Sequence, residues 1–241
     1  MAARYDAGRS LPLEWIDEWR LALAPYLEEC ARPLLDLGSG TGLWLQALAG
    51  WFDVTIVAAE PSEAMRRNAS RKRLPAVVAL VGGTAERIPL KPGSCGCAWL
   101  STVLHHIADL EACAGELRRV LGGRGTVLIR NSFGDRLDDI NWLRFWPAAE
   151  ALAAERWPTV DATAQAFSAG GFEVEALVSV PEVIARDLHS YYDRLRLRAN
   201  STLTLISDED FAEGLARLKR AADRQPDPEP VVDHRDLLVL R

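Results

Sequence analysis

Leu34-Leu35-Asp36-Leu37-Gly38-Ser39-Gly40-Thr41-Gly42 is the stretch that decides the fold of this 241-residue chain. Its first four residues read as a short buried strand, since they lack the polar alternation of a half-exposed one. Three glycines within five positions let the backbone take positive φ without Cβ strain and approach a ligand closely. Leu43 to Trp51 then reads as a helix whose first N–H groups have no partner inside the helix. An ordinary glycine turn leaves the acid and the flanking elements unexplained. The dinucleotide fingerprint G-x-G-x-x-G is out of frame, because Leu43 lies three after Gly40 and Leu45 three after Gly42. No Gly-Lys-Ser/Thr follows, so the loop is not a phosphate loop either.

Outward from the loop, strands and helices alternate. Val54 to Ala59, Ala76 to Val81, Cys95 to Ser101 and Gly125 to Arg130 read as strands two to five. Pro61-Ser62-Glu63 opens a helix through Arg73 with Ser62 as its cap, and Leu110 to Leu121 is a helix that stops at Gly122-Gly123. Before the loop, Leu11 to Leu27 has helical spacing, with Pro33 as the stop. After Asn131 the alternation breaks into a tryptophan-bearing helical stretch. Val174 to Val180 and His234 to Leu240 supply strands six and seven, separated by helical stretches Pro181 to Arg198 and Asp208 to Arg224. The expected architecture is an α/β, doubly wound, mostly parallel seven-stranded sheet of the Rossmann-like type with a helical cap. A single domain is expected over residues 1–241, with a cap segment at 1–30 and lid insertions at 134–160 and 181–224.

Composition narrows the function. Nearly half the residues are apolar (49%), enough for a substantial core, yet no apolar run is long enough to span a bilayer. A cytoplasmic location is expected, because the first residues lack a basic patch followed by an apolar stretch. The formal net charge of −6 disfavours nucleic acid, whose binding rests on neutralising phosphates. Cys95-Gly96-Cys97 is spaced too tightly for a zinc knuckle, and Cys30 and Cys113 bring no second pair, so no metal is expected.

The segment Asp36 to Gly42 resembles motif I of the class I S-adenosylmethionine (SAM)-dependent methyltransferases, and the resemblance continues in order over about residues 33–133 and again at the last two strands. It implies SAM as cofactor. The family's motif I acid, here Asp36, orders the loop and the methionine end of SAM, beside Gly38, Ser39, Gly40 and Gly42. The acid after the second strand, here Glu60 next to Pro61, holds both ribose hydroxyls, which two carboxylate oxygens can do. Gly83-Thr84-Ala85-Glu86-Arg87-Ile88-Pro89 is similar to the family's adenine-binding segment. Thr84 replaces its usual Asp, which removes a charge-assisted contact and shifts adenine recognition to Ala85 and Glu86. The resemblance also puts Leu100 and Ser101 against the methionine moiety, and Tyr5 and Arg9 over the cofactor.

His105 and His106 follow the fourth strand, where the family often has such a pair. His105 is the candidate base, since imidazole titrates near working pH, and His106 the candidate substrate contact. Adjacent histidines are expected to point apart, so that one faces the site. Asn131, Trp142, Trp146, Tyr191 and Tyr192 leave the carboxyl ends of the fifth and sixth strands and are the remaining candidate acceptor contacts. Trp142 and Trp146, four apart, are expected on one helix face. The expected activity is methyl transfer to an O, N or C nucleophile of a small-molecule acceptor, by a monomer or homodimer. The alternative is the same SAM-binding fold used for a cyclisation or rearrangement.

Overall fold

Both faces of the central strands are apolar, and the chain buries both. The computed structural model describes residues 12–28 and 30–241. Its strands are β1 (Leu34–Leu37), β2 (Ile56–Ala59), β3 (Val78–Val81), β4 (Cys97–Ser101), β5 (Thr126–Asn131), β6 (Val174–Ala185) and β7 (Val231–Leu240). They form one seven-stranded sheet in the order β3-β2-β1-β4-β5-β7-β6. The first five are parallel, and β7 runs antiparallel to both β5 and β6. The helices are α1 (Asp17–Leu27), α2 (Leu45–Trp51), α3 (Glu63–Ser70), α4 (Leu110–Leu121), α5 (Pro147–Arg156), α6 (Val160–Ser168), α7 (Leu188–Leu195) and α8 (Asp208–Arg224). The doubly wound sheet expected from the sequence is the one observed.

The side-chain period of two divides the strands between two cores. Leu35, Leu37, Ala98, Leu100, Val127 and Ile129 pack with Leu117 of α4 and with Phe167 and Phe172. On the opposite face Leu34, Ile56, Trp99, Leu128 and Val239 pack against Trp19 and Leu23 of α1 and Leu45 and Leu48 of α2. A third cluster, which includes Ile184 and Ala185 of β6 and Val231 of β7, joins Trp142, Phe145, Trp146, Tyr191, Leu203 and Leu218. Ser62 caps α3 as expected, accepting from the Met65 amide at 3.4 Å.

Two expected elements differ. The stretch from Pro181 is not helical at its start, because β6 continues to Ala185 and pairs Pro181 with His234 and Val183 with Val232 of β7. A proline is tolerated there because β6 is the sheet edge, so its missing N–H removes no ladder bond. Trp142 and Trp146 do not share a regular helix face. They flank a 3-10 turn, Leu143–Phe145, and α5 begins only at Pro147.

The third cluster depends on one missing Cβ. A side chain at Gly214 of α8 would overlap the Trp146 indole, whose Nε1 donates to the Phe211 carbonyl at 3.1 Å. Alanine normally gains about 1 kcal/mol over glycine inside a helix. Here overpacking should win, so Gly214→Ala is expected to lose about 1–3 kcal/mol. A thermal melt checks it, and a raised melting temperature would contradict the packing described.

Candidate functional site

The strand order reverses between β1 and β4, and ligands of open α/β sheets lie at such a switch point, beyond the carboxyl ends of the strands. Two cavities of about 380 and about 370 Å3 open there. They share Gly38, Gly40, Ser101 and Thr102 as a common wall.

The glycine loop makes that wall possible. Gly38, Gly40 and Gly42 all have positive φ, at 75°, 57° and 73°. A Cβ on Gly38 would overlap Val103, and one on Gly42 would come within 2.8 Å of Leu45. Around Gly40 there is open space instead, which leaves its backbone bare to the cavities. The buried hydroxyl of Ser39 has no hydrogen-bond partner among the described residues and lies in the wall of the larger cavity.

Glu60 braces this loop from β2. Its Oε2 accepts from the Gly40 amide at 2.9 Å and its Oε1 from the Ser62 amide at 2.8 Å. A carboxylate offers about four lone-pair sites, so each oxygen keeps capacity for a further donor. Pro61, Met65, Thr84, Ala85, Glu86, His106 and Ile107 complete the smaller cavity with Glu60. Glu86 also accepts from the Ala108 amide at 3.1 Å, which ties the loop after β3 to the loop after β4.

Asp36 ends up in the wall of the larger cavity and is 3% exposed. Burial, with Glu60 nearby as the lesser cause, raises its carboxyl from 3.8 to about 7. Near neutrality it is therefore poised between its two forms, and a cationic ligand beside it would favour the ionised one.

The remaining wall of the larger cavity includes residues that local sequence patterns did not mark: Trp44, Thr102, Arg130 and Glu182. Glu182 is 3% exposed and forms a buried ion pair with Arg130. Burial opposes its charge, but Arg130 and Arg235, with hydrogen bonds from Arg130 and Trp19, hold the carboxyl below its ordinary value.

Several candidate residues lie elsewhere. Leu100 is fully buried in the core, and its neighbour Ser101 faces both cavities. The two histidine rings do not point apart: their centroids are 4.0 Å from each other. His106 lines the smaller cavity, while His105 lies 3.4 Å from the Ser201 hydroxyl and lines neither. Asn131 is buried and donates to the Ser132 carbonyl at 2.7 Å. Trp142, Trp146 and Tyr191 form the interior of the third cluster, with Tyr192 packed on it, and none of the four lines either cavity. They are core because the segments carrying them bury their apolar faces against one another. Tyr5 and Arg9 fall outside the described residues.

Residues 35–129 match the sequence family described as a methyltransferase domain. A curated relative, an uncharacterised 37.1 kDa protein in a transposon of Streptomyces fradiae, is 39% identical over 103 residues. That match covers 39% of this chain and 30% of the relative, so less than a third of the relative's length is spanned. Among solved structures, a candidate methyltransferase from an antibiotic biosynthesis pathway of Anabaena variabilis superposes with a TM-score of 0.74 at 20% identity, over 92% of this chain and 96% of that one. The [4+2]-cyclase SpnF superposes with a TM-score of 0.65 at 17% identity, over 97% of this chain and 83% of that one. At these identities the likeness is one of fold.

Proposed function

We infer that this chain, whose residues 35–129 match a methyltransferase domain, is a class I SAM-dependent methyltransferase that binds SAM across the two adjoining cavities and methylates a small molecule at an O, N or C nucleophile. The observation that carries this reading is Glu60, held by the Gly40 and Ser62 amides at the edge of a bare glycine backbone. The residues present fit the cofactor. Glu60 has lone pairs left for ribose hydroxyls, the Ser39 hydroxyl, without a partner among the described residues, can take a polar group, and Asp36 can ionise against a cation. Thr84, Ala85 and Ile107 line the smaller cavity and would receive the adenine.

SAM supplies a methyl group on a sulfonium, which a nucleophile displaces in line. What the chain must then provide is alignment and exclusion of water more than acid–base help. Asp36 would hold negative charge near the sulfonium side, and Ser101 and Thr102 would fix the partition between cofactor and acceptor. His105 lines neither of the two cavities, and an acceptor that is a neutral amine or a phenol already partly ionised needs no strong base. Residues 134–160 and 186–224, built around the third cluster, would form the lid of a single unit, with residues 12–28 in its cap. Ile184, Arg194 and Arg235 also line the larger cavity, where the acceptor would sit.

The fold likeness to SpnF supports a second reading, in which bound SAM serves a cyclisation or rearrangement. Turnover with methyl-labelled SAM and a panel of small-molecule acceptors separates the two. Methyl transfer is expected to give S-adenosylhomocysteine and labelled product in equal amounts. An acceptor converted without S-adenosylhomocysteine would overturn methyl transfer in favour of the second reading.

A further inference from the structure

Thr102 is a β-branched residue at φ 56°, in the left-handed region that such side chains rarely occupy. It follows β4 directly and lines both cavities. A conformation of this kind persists only where its surroundings over-determine it. Here a single residue supplies much of the restraint. The Thr102 amide donates to the Arg130 carbonyl at 2.8 Å, while Arg130 Nη1 donates to Thr102 Oγ1 at 2.9 Å and to Ser101 Oγ at 3.2 Å.

Arg130 is itself fixed from behind. Its Nε donates to Glu182 Oε2 at 3.2 Å, and its Nη2 donates to the same oxygen. Trp19 Nε1 of α1 also donates to Glu182 Oε2, at 3.2 Å. The guanidinium carbon lies 5.2 Å from the Trp19 ring centre and 5.1 Å from that of Trp44. Four separated parts of the chain, α1, the start of α2, β5 and β6, therefore converge on two consecutive cavity-wall residues. Stability alone is a poor reason for such a pair, since apolar residues of similar volume generally serve a buried position as well or better.

We propose that Arg130 and Glu182 are positioning residues for the cofactor. The pair presets the Ser101-Thr102 wall between the two cavities and, through Trp19, ties the shape of that wall to helix α1. The proposal rests on the SAM-binding reading, and a ligand-free measurement separates the two. It has no covalent step: the pair acts through shape, by holding Thr102 where an unrestrained threonine would not stay.

Glu182→Gln keeps an acceptor oxygen for Trp19 and removes the charge that orients Arg130. Its effect is measured in the wild-type background and in Thr102→Gly, where φ 56° carries no Cβ strain. Hydrogen exchange without ligand should rise at least about tenfold over residues 101–104 and stay unchanged in β1 and β2, the signature of local opening. Affinity for S-adenosylhomocysteine should fall roughly tenfold or more in the wild-type background and by less than about threefold in Thr102→Gly, the non-additivity expected of coupled residues. Equal losses in both backgrounds, or unchanged exchange at 101–104, would overturn the proposal. Should Glu182→Gln fail to fold, Arg130→Lys carries the same test, because lysine keeps the charge but lacks the fork that reaches both Ser101 and Thr102. Loss of the fold in both variants would make the pair structural and would also overturn it. If Glu182→Gln gives the exchange response but the wild type binds no S-adenosylhomocysteine, the wall stands as described and the cofactor reading is refuted instead.

Discussion

Asp36→Asn is expected to make the protein more stable at pH 8 and worse at holding SAM. The Asp36 carboxyl is raised from 3.8 to about 7, by burial first and by Glu60 second. Between those two values the folded chain holds a proton that the unfolded chain has lost, so stability falls as pH rises through this window. Below about pH 4 both states are protonated and the group contributes nothing, whereas above pH 7 the full cost of a buried carboxylate is in place. The rise from 3.8 to about 7 corresponds to about 4 kcal/mol. Asparagine is neutral throughout and escapes that cost. The variant and the wild type should therefore melt together near pH 4 and separate by several degrees at pH 8, with the variant higher. A constant difference across that range would show that Asp36 does not titrate between the two values.

Binding should move the other way. The ionised carboxylate is the form that attracts a cationic ligand, so wild-type affinity for SAM should improve from pH 6 to pH 8, with proton release on binding near pH 7. Asp36→Asn should lose this pH dependence and bind roughly 10- to 100-fold more weakly, the scale of one charged hydrogen bond. Greater stability with lost function is what a site built on a destabilised carboxylate predicts.

Glu60→Ala carries the second large effect. It leaves the Gly40 and Ser62 amides without their carboxylate acceptor and removes the group proposed to hold the ribose hydroxyls. Two hydrogen bonds to a charged group are worth about 1.5–3 kcal/mol each, so affinity should fall by a factor on the order of 100 or more. Stability should fall by about 1–3 kcal/mol, because both orphaned amides are partly buried. Glu60→Gln should lie between, since its one carbonyl oxygen can satisfy one amide but not the paired arrangement. A Glu60→Ala protein that bound S-adenosylhomocysteine like the wild type would remove the residue from the site.

The parts of this molecule that a reader of the sequence can find are those whose cause is local. Asp36 to Gly42 announces itself because strand, acid, glycines and helix are contiguous, and the observed φ angles are those that three glycines permit. Glu60 lies one residue past β2, so it was legible once the loop was recognised. The seven strands were found because apolar runs bounded by turns are short-range signals. Their lengths were less legible, since β6 runs through Pro181 only by virtue of pairing with β7 at the sheet edge.

Arg130, Glu182 and Thr102 carry no local signature. Arg130 and Glu182 are separated by 52 positions and meet through β7, which pairs with both β5 and β6. An arginine at the end of a strand and a glutamate after a proline read as surface residues until that pairing is known. The positive φ of Thr102 is a product of these contacts and is invisible in its residue type. The aromatic residues misled for the opposite reason. Trp142, Trp146 and Tyr191 are conspicuous in the sequence, but conspicuous aromatics mostly fill cores, and these fill the third cluster.

The most direct test of the central claim is a calorimetric titration of the wild-type protein with SAM and with S-adenosylhomocysteine at pH 7.5. The site described here predicts saturable binding of both ligands at one site per chain. Absence of binding to either would contradict it, and would mean that Thr84, where the family carries an acid, marks a fold whose cofactor site has been lost.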